Sequence, residues 1–162
     1  MRTRTAPQTT DGLRWGLALL ALVGATALPT QEVDARPQRF VRVKVDVANL
    51  RARPTPTAER IRSAHENEPL HVVGRQGQWL EVRDVAGEAA WIYAPLTDGR
   101  PAVVVVRDVV NVRERPGTGH PIAFTAERGV NLLVLERAGR WLHVQHDVGE
   151  GWLHDSLVWG SP

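Results

Sequence analysis

After residue 38 the chain alternates hydrophobic and polar positions with period two. In VRVKVDV, Val41, Val43, Val45 and Val47 fall on one side and Arg42, Lys44 and Asp46 on the other, which predicts a half-buried strand. Its later counterpart, AVVVVRDVV, is more evenly apolar and reads as a strand covered on both faces. NLRARPTPT and NVRERPGTG follow, where proline, threonine and glycine predict a long irregular loop. LHVVG and LLVLE, then WLEVR and WLHVQ, are further strands separated by tight turns at QGQ and AGR, and WIY and WLH close each set. Short strands at near-even spacing, with polar turns and no helical period, predict an all-β fold of small barrels.

The two sets are copies of one unit. A shift of 62 residues places Asn49 on Asn111, Arg51 on Arg113, Arg53 on Arg115, Pro54 on Pro116, Leu70 on Leu132, Trp79 on Trp141 and Gly87 on Gly149 without a gap. One deletion then pairs Trp91 with Trp152 and Leu96 with Leu157. Such agreement marks an internal duplication, with units at 38–97 and 103–160 and a turn-rich linker at 98–102.

The order N-L/V-R-x-R-P, a variable loop, an apolar strand, a turn, W-L-x-V, a glycine-containing loop, then W-I/L and a terminal leucine resembles bacterial SH3 (SH3b) domains, in two copies. GWLHDSL at 151–157 keeps the G-W-hydrophobic signature, whereas the first copy has Ala90 before Trp91. The resemblance implies two small SH3-like barrels in tandem, each of five or six strands. It also implies a non-catalytic module of exported proteins that binds cell-wall peptides or tethers an enzyme to the wall.

The amino terminus points the same way. Arg2, Arg4 and Arg14 precede fourteen uncharged, mostly apolar residues (WGLALLALVGATAL, 15–28), and Ala25, Thr26 and Ala27 give an A-x-A cleavage pattern. This is the layout of a secretory signal peptide over 1–27, followed by a linker at 28–37. Extending the run to Gln31 gives seventeen uncharged residues, close to the shortest spanning helix, so an uncleaved anchor is the one membrane association open to the chain. The expected location is exported, periplasmic or extracellular.

Charge narrows the partners. The formal net charge of +2 comes from those three arginines against Asp11, and the remaining basic and acidic residues balance. A balanced surface lacks the counterion-releasing character of a nucleic-acid binder. With no cysteine there is no disulfide framework and no thiolate chemistry. His143 and His146 have H-x-x-H spacing, but on an extended strand residues three apart project to opposite faces, so a shared metal is not expected. Neither a cofactor nor a catalytic group is expected.

Candidate ligand-binding residues lie where aromatic and polar positions share a face. Alternation puts Trp79 with Glu81 opposite Leu80 and Val82, and Trp141 with His143 opposite Leu142 and Val144. On the closing strands Trp91 and Tyr93, or Trp152 and His154, would face outward. If 79 pairs with 93 and 141 with 154, each barrel carries an aromatic pair on its outside, suited to extended peptides. The competing reading is that bent strands bury both faces and the indoles fill gaps. Arg51 with Arg53, and Arg113 with Arg115, sit two apart and could hold a carboxylate between two guanidinium groups, although internal pairing with nearby carboxylates such as Asp46, Asp108 and Glu114, or solvation, is the stronger reading. Together these features predict a binding module for peptidoglycan or other peptide-containing cell-envelope material. The alternative is a periplasmic or secreted protein-protein adaptor or inhibitor, so the expected partner is a cell-wall peptide or an exported protein.

Overall fold

Fourteen strands build two separate antiparallel sheets in the computed structural model, which describes residues 39–160. The expected signal segment (1–27) and the linker at 28–37 lie outside the described residues. The first sheet contains β1 (Arg39–Val43), β2 (Val47–Arg51), β3 (Arg60–His65), β4 (Pro69–Gln76), β5 (Trp79–Arg83), β6 (Ala89–Tyr93) and β7 (Thr97–Asp98), in the order β3-β2-β6-β5-β4-β1-β7. The second repeats that order with β8 (Ala102–Val105), β9 (Val109–Arg113), β10 (Ile122–Glu127), β11 (Asn131–Ala138), β12 (Trp141–His146), β13 (Gly149–His154) and β14 (Val158–Gly160). Short 3-10 turns at Ala94–Leu96 and Asp155–Leu157 precede the last strand of each sheet. Each sheet has seven strands where five or six were expected, because the brief β7 and β14 add an outer strand to β1 and β8. The outermost strands of a sheet do not pair with each other, so each barrel is curled but not closed.

The two cores are filled from the same repeat positions. Val43, Leu50, Leu70, Leu80, Val82 and Ile92 are buried in the first, and Val105, Val112, Leu132, Leu142, Val144 and Leu153 in the second. At about 1.5–3 kcal/mol for each fully buried aliphatic side chain, these inward rows hold the curl of both sheets. The alternation that buries Leu80, Val82 and Ile92 leaves their neighbours Trp79, Glu81, Trp91 and Tyr93 on the outer face.

VRVKVDV is not one strand. The chain bends at residues 44–46, where Lys44 N–H donates to the Leu96 carbonyl and Glu66 N–H donates to that of Asp46. The bend shifts the alternation by one residue, so Val41 and Val43 are buried on β1 but Ala48 and Leu50 on β2, and Val47 is exposed. Arg42, expected outside, is buried. Its guanidinium donates through Nε and Nη2 to the two Asp98 carboxylate oxygens, each at 2.9 Å, and through Nη1 to Asn67 Oδ1. A buried charge needs this full set of partners. AVVVVRDVV breaks in the same way, at residues 106–108: β8 is buried at all four positions, as its evenly apolar composition predicts, but Val109 at the start of β9 is exposed. Strands β2 and β9 run on to Arg51 and Arg113, inside what reads as loop, and β3 and β10 lie where no strand is read, because as edge strands they bury only Ala64 and Ala126 and show almost no alternation.

The barrels are neighbours within one compact unit. Only residues 99–101 separate β7 from β8. The Phe40 ring on β1 meets Trp159 on β14 edge to face, with centroids 5.1 Å apart, and the Asn131 amide donates to the Glu66 carbonyl at 3.3 Å.

Candidate functional site

Hairpin register sets the aromatic pairs. β5 and β6 place Trp79 opposite Tyr93 and Glu81 opposite Trp91, while β12 and β13 place Trp141 opposite His154 and His143 opposite Trp152. Directly opposed residues are the closest cross-strand neighbours on a sheet face. Ring centroids are accordingly 5.5 Å apart for Trp79 and Tyr93, 5.5 Å for Trp141 and His154, and 4.9 Å for the stacked His143 and Trp152. All four of these tryptophans are half-buried.

In the first barrel the pair becomes one wall of a groove of about 410 Å³, lined by Asn49, Arg51, Pro56, Trp79, Tyr93 and Leu96. Asn49 and Arg51 come from the outer face of β2, Pro56 from the following loop and Leu96 from the 3-10 turn. Tyr93 donates its hydroxyl proton to Gln78 Oε1 at 2.6 Å, which fixes the ring. Arg51 donates through Nη1 to the Ala58 carbonyl at 2.6 Å and so holds the loop carrying Pro56. Among the described residues it is the one ionisable cation lining the groove, and no carboxylate lines it. The groove therefore offers aromatic surface, one amide and one positive charge, a set that fits an extended peptide carrying a carboxylate.

The second barrel retains the frame and changes the chemistry. Arg113 donates to the His120 carbonyl at 2.6 Å, repeating the clasp made by Arg51. His154, in the place of Tyr93, has Nδ1 2.8 Å from Ser156 Oγ and accepts the Ser156 backbone N–H. Beside it Asp155 accepts from Arg140 and Arg137. Hydrogen bonds from Arg140 outweigh partial burial and, with the charges of Arg140, His154 and Arg137, hold the Asp155 carboxyl below its ordinary range. Glu150 lies 3.7 Å from His143 Nε2 on the face where His143 stacks on Trp152.

The residues singled out in the sequence separate accordingly. Trp79, Tyr93 and Arg51 share the groove, whereas Trp91 sits further along the same face, opposite Glu81, and does not line it. Arg53 and Arg115 are exposed loop residues, and Arg53 does not join Arg51 in the groove. No twin-guanidinium clamp forms there, since Arg51 turns one N–H to its own loop. Its internal partner is a backbone carbonyl, where carboxylates were the expected ones. Asn49, Pro56 and Leu96 were not among the candidates. The N-x-R spacing carries the signal for Asn49, because residues two apart on a strand share a face; Pro56 and Leu96 reach the site only through loop and turn geometry.

The fold defines a duplicated β-module whose outer faces present the aromatic pairs. A family model described as bacterial SH3 domain matches residues 44–99 and 106–160, and the chain belongs to that family. No curated protein matches it. Among solved structures it is similar to NlpC1 from Trichomonas vaginalis, at 12% identity and a TM-score of 0.37 over 77% of this chain and 46% of that one. It is also similar to NlpC2 from Trichomonas vaginalis (12% identity, TM-score 0.36, 76% and 48%) and to an NlpC/P60 family protein from Bacillus cereus (14% identity, TM-score 0.33, 74% and 55%). The chain spans about half the length of these proteins.

Proposed function

We propose that this protein is an exported, non-catalytic binding module that recognises peptide-containing cell-envelope material, peptidoglycan in the first place, through the outer aromatic face of its barrels. The groove between Trp79, Tyr93 and Arg51 carries this reading. Two half-buried rings offer apolar contact at little entropy cost, and the single guanidinium selects a carboxylate-bearing chain. Export rests on the basic, apolar and A-x-A layout of residues 1–27.

Retention on purified, protein-free peptidoglycan tests the proposal. Wild-type protein should be retained, and Trp79→Ala combined with Trp141→Ala should lower retention at least tenfold, the scale of losing an aromatic anchor. Absence of retention would shift the assignment to an adaptor or inhibitor of another exported protein. That second reading is favoured by Ile61 and Ile122, which are exposed on the edge strands β3 and β10, where a partner strand could add.

A further inference from the structure

We propose that the two aromatic sites read opposite hydrogen-bond polarity: the first takes a ligand group that donates an N–H, and the second takes one that offers an oxygen. This selectivity rests on the reading of the outer faces as binding surfaces. In the first barrel the Tyr93 hydroxyl donates its proton to Gln78 Oε1 at 2.6 Å. A hydroxyl has one proton to give, so once it is committed Tyr93 presents only lone pairs to the groove. The Gln78 carbonyl also accepts the Ala94 backbone N–H at 2.8 Å, which anchors the turn carrying Leu96, another lining residue. Gln78 is therefore a positioning residue that acts on a ligand through Tyr93 and Leu96.

His154 stands in the place of Tyr93 with the polarity reversed. It caps the 3-10 turn Asp155–Leu157, and its Nδ1 accepts the Ser156 backbone N–H at 3.3 Å and lies 2.8 Å from Ser156 Oγ. A backbone N–H donates only to a bare ring nitrogen, so the imidazole carries its proton on Nε2. Asp155 Oδ1 lies 3.5 Å from Nδ1 but accepts instead from Arg140, at 3.1 and 3.0 Å. Every buried side-chain nitrogen or oxygen of the described residues has a partner, and Nε2 has none among them, so Nε2–H opens to solvent beside Trp141. A second proton, taken up at Nδ1, would leave Nε2–H a donor still. Neither arrangement can be exchanged for the other. Pro95 stands where Ser156 does and has neither hydroxyl nor N–H, and Arg140 stands where Gln78 does and binds Asp155 in place of the ring.

N-acetylglycine and N-acetylsarcosine are the probes, followed by the indole N–H resonances of the labelled full chain. They share a carboxylate and an acetyl carbonyl and differ in one amide N–H, which the second replaces by N-methyl. The Trp79 signal should report binding about fivefold weaker for N-acetylsarcosine, the scale of one neutral hydrogen bond, while the Trp141 signal should report the two probes alike. Tyr93→Phe removes the accepting oxygen and Gln78→Leu frees the hydroxyl proton, so each should bring the Trp79 ratio close to one and leave the Trp141 ratio unchanged. Ring nitrogen shifts of His154, with no ligand present, should show Nδ1 bare and Nε2 protonated. The proposal is overturned by a proton on Nδ1 alone, by equal ratios at the two indoles, by a Trp79 ratio that survives Gln78→Leu, or by no response of either indole even at hundreds of millimolar probe. Retention on peptidoglycan with equal ratios would sink the polarity and leave the binding module standing; unequal ratios without retention would do the reverse.

Discussion

The two barrels fill one backbone plan by opposite means. Where the first pairs Arg42 with Asp98 across β1 and β7, the second pairs Val104 with Trp159 across β8 and β14. Arg62 in the first donates to Glu68 at 2.6 Å and to the buried Asp84 at 2.8 Å; the repeat positions in the second are Phe124, Val130 and His146, of which Phe124 and Val130 pack on the core. Asn67, at φ 61°, takes the turn that Gly129 makes at φ 87°. The inward aliphatic rows are common to both, whereas the margins of the sheet accept either ionic or apolar closure. Ionic closure carries a condition. A buried ion pair is weak evidence for net stability, but removing one member leaves an uncompensated charge.

The largest difference should follow from breaking Arg42–Asp98. Asp98→Ala strands the buried guanidinium and should destabilise the first barrel by about 3 kcal/mol in chemical denaturation. The double replacement Arg42→Val with Asp98→Trp, which copies the second barrel, should return stability to near the wild-type value. If the double variant is as unstable as the single one, the two closures are not equivalent.

A smaller contrast sits on the closing strands, where Gly151 occupies the place of Ala90. A Cβ built on Gly151 would lie 2.7 Å from the Arg113 carbonyl oxygen and 2.8 Å from Val112 Cγ1. In the first barrel the repeat counterpart of Val112 is Leu50, which is unbranched at Cβ. Gly151→Ala should therefore cost about 2 kcal/mol, as overpacking does. Ala90→Gly should cost less, near 1 kcal/mol, through the lost side chain and added chain entropy. Thermal melts of the two variants side by side would show the order; equal losses would contradict it.

The smallest expected effect is the acid response. Burial alone would raise the Asp98 carboxyl, but the hydrogen bonds from Arg42 and the Arg100 backbone N–H, with their charges, hold it below its ordinary value. The folded state thus binds a proton less readily than the unfolded chain. This contribution is fully present above about pH 4 and is lost as pH falls through the depressed folded value. Asp155 acts in the same direction in the second barrel. Asp98→Asn should flatten the decline of the wild-type midpoint between neutral pH and pH 3, and an unchanged slope would assign acid sensitivity elsewhere.

These contrasts also mark what the sequence could reveal. Pairing of Trp79 with Tyr93 and of Trp141 with His154 was legible because period-two alternation and a short turn leave one hairpin register that buries Leu80 and Leu142. The bend at 44–46 was not, because alternation looks the same on either side of a one-residue phase change and only Arg42 betrays it after the fact. Edge strands β3 and β10 hid behind their exposure. The groove was half legible: its rings and Arg51 follow from strand faces, while Pro56 and Leu96 are delivered by a loop and a turn whose course depends on contacts distant in sequence.

Central to this account is the claim that the ring pair of the first barrel faces a ligand, and a titration of labelled protein with a soluble peptidoglycan-derived peptide tests it most directly. The Trp79 indole N–H and the Asn49 side-chain amide should shift together and saturably, and Arg51→Ala should weaken the response. Wall-peptide binding that leaves both signals in place would contradict it.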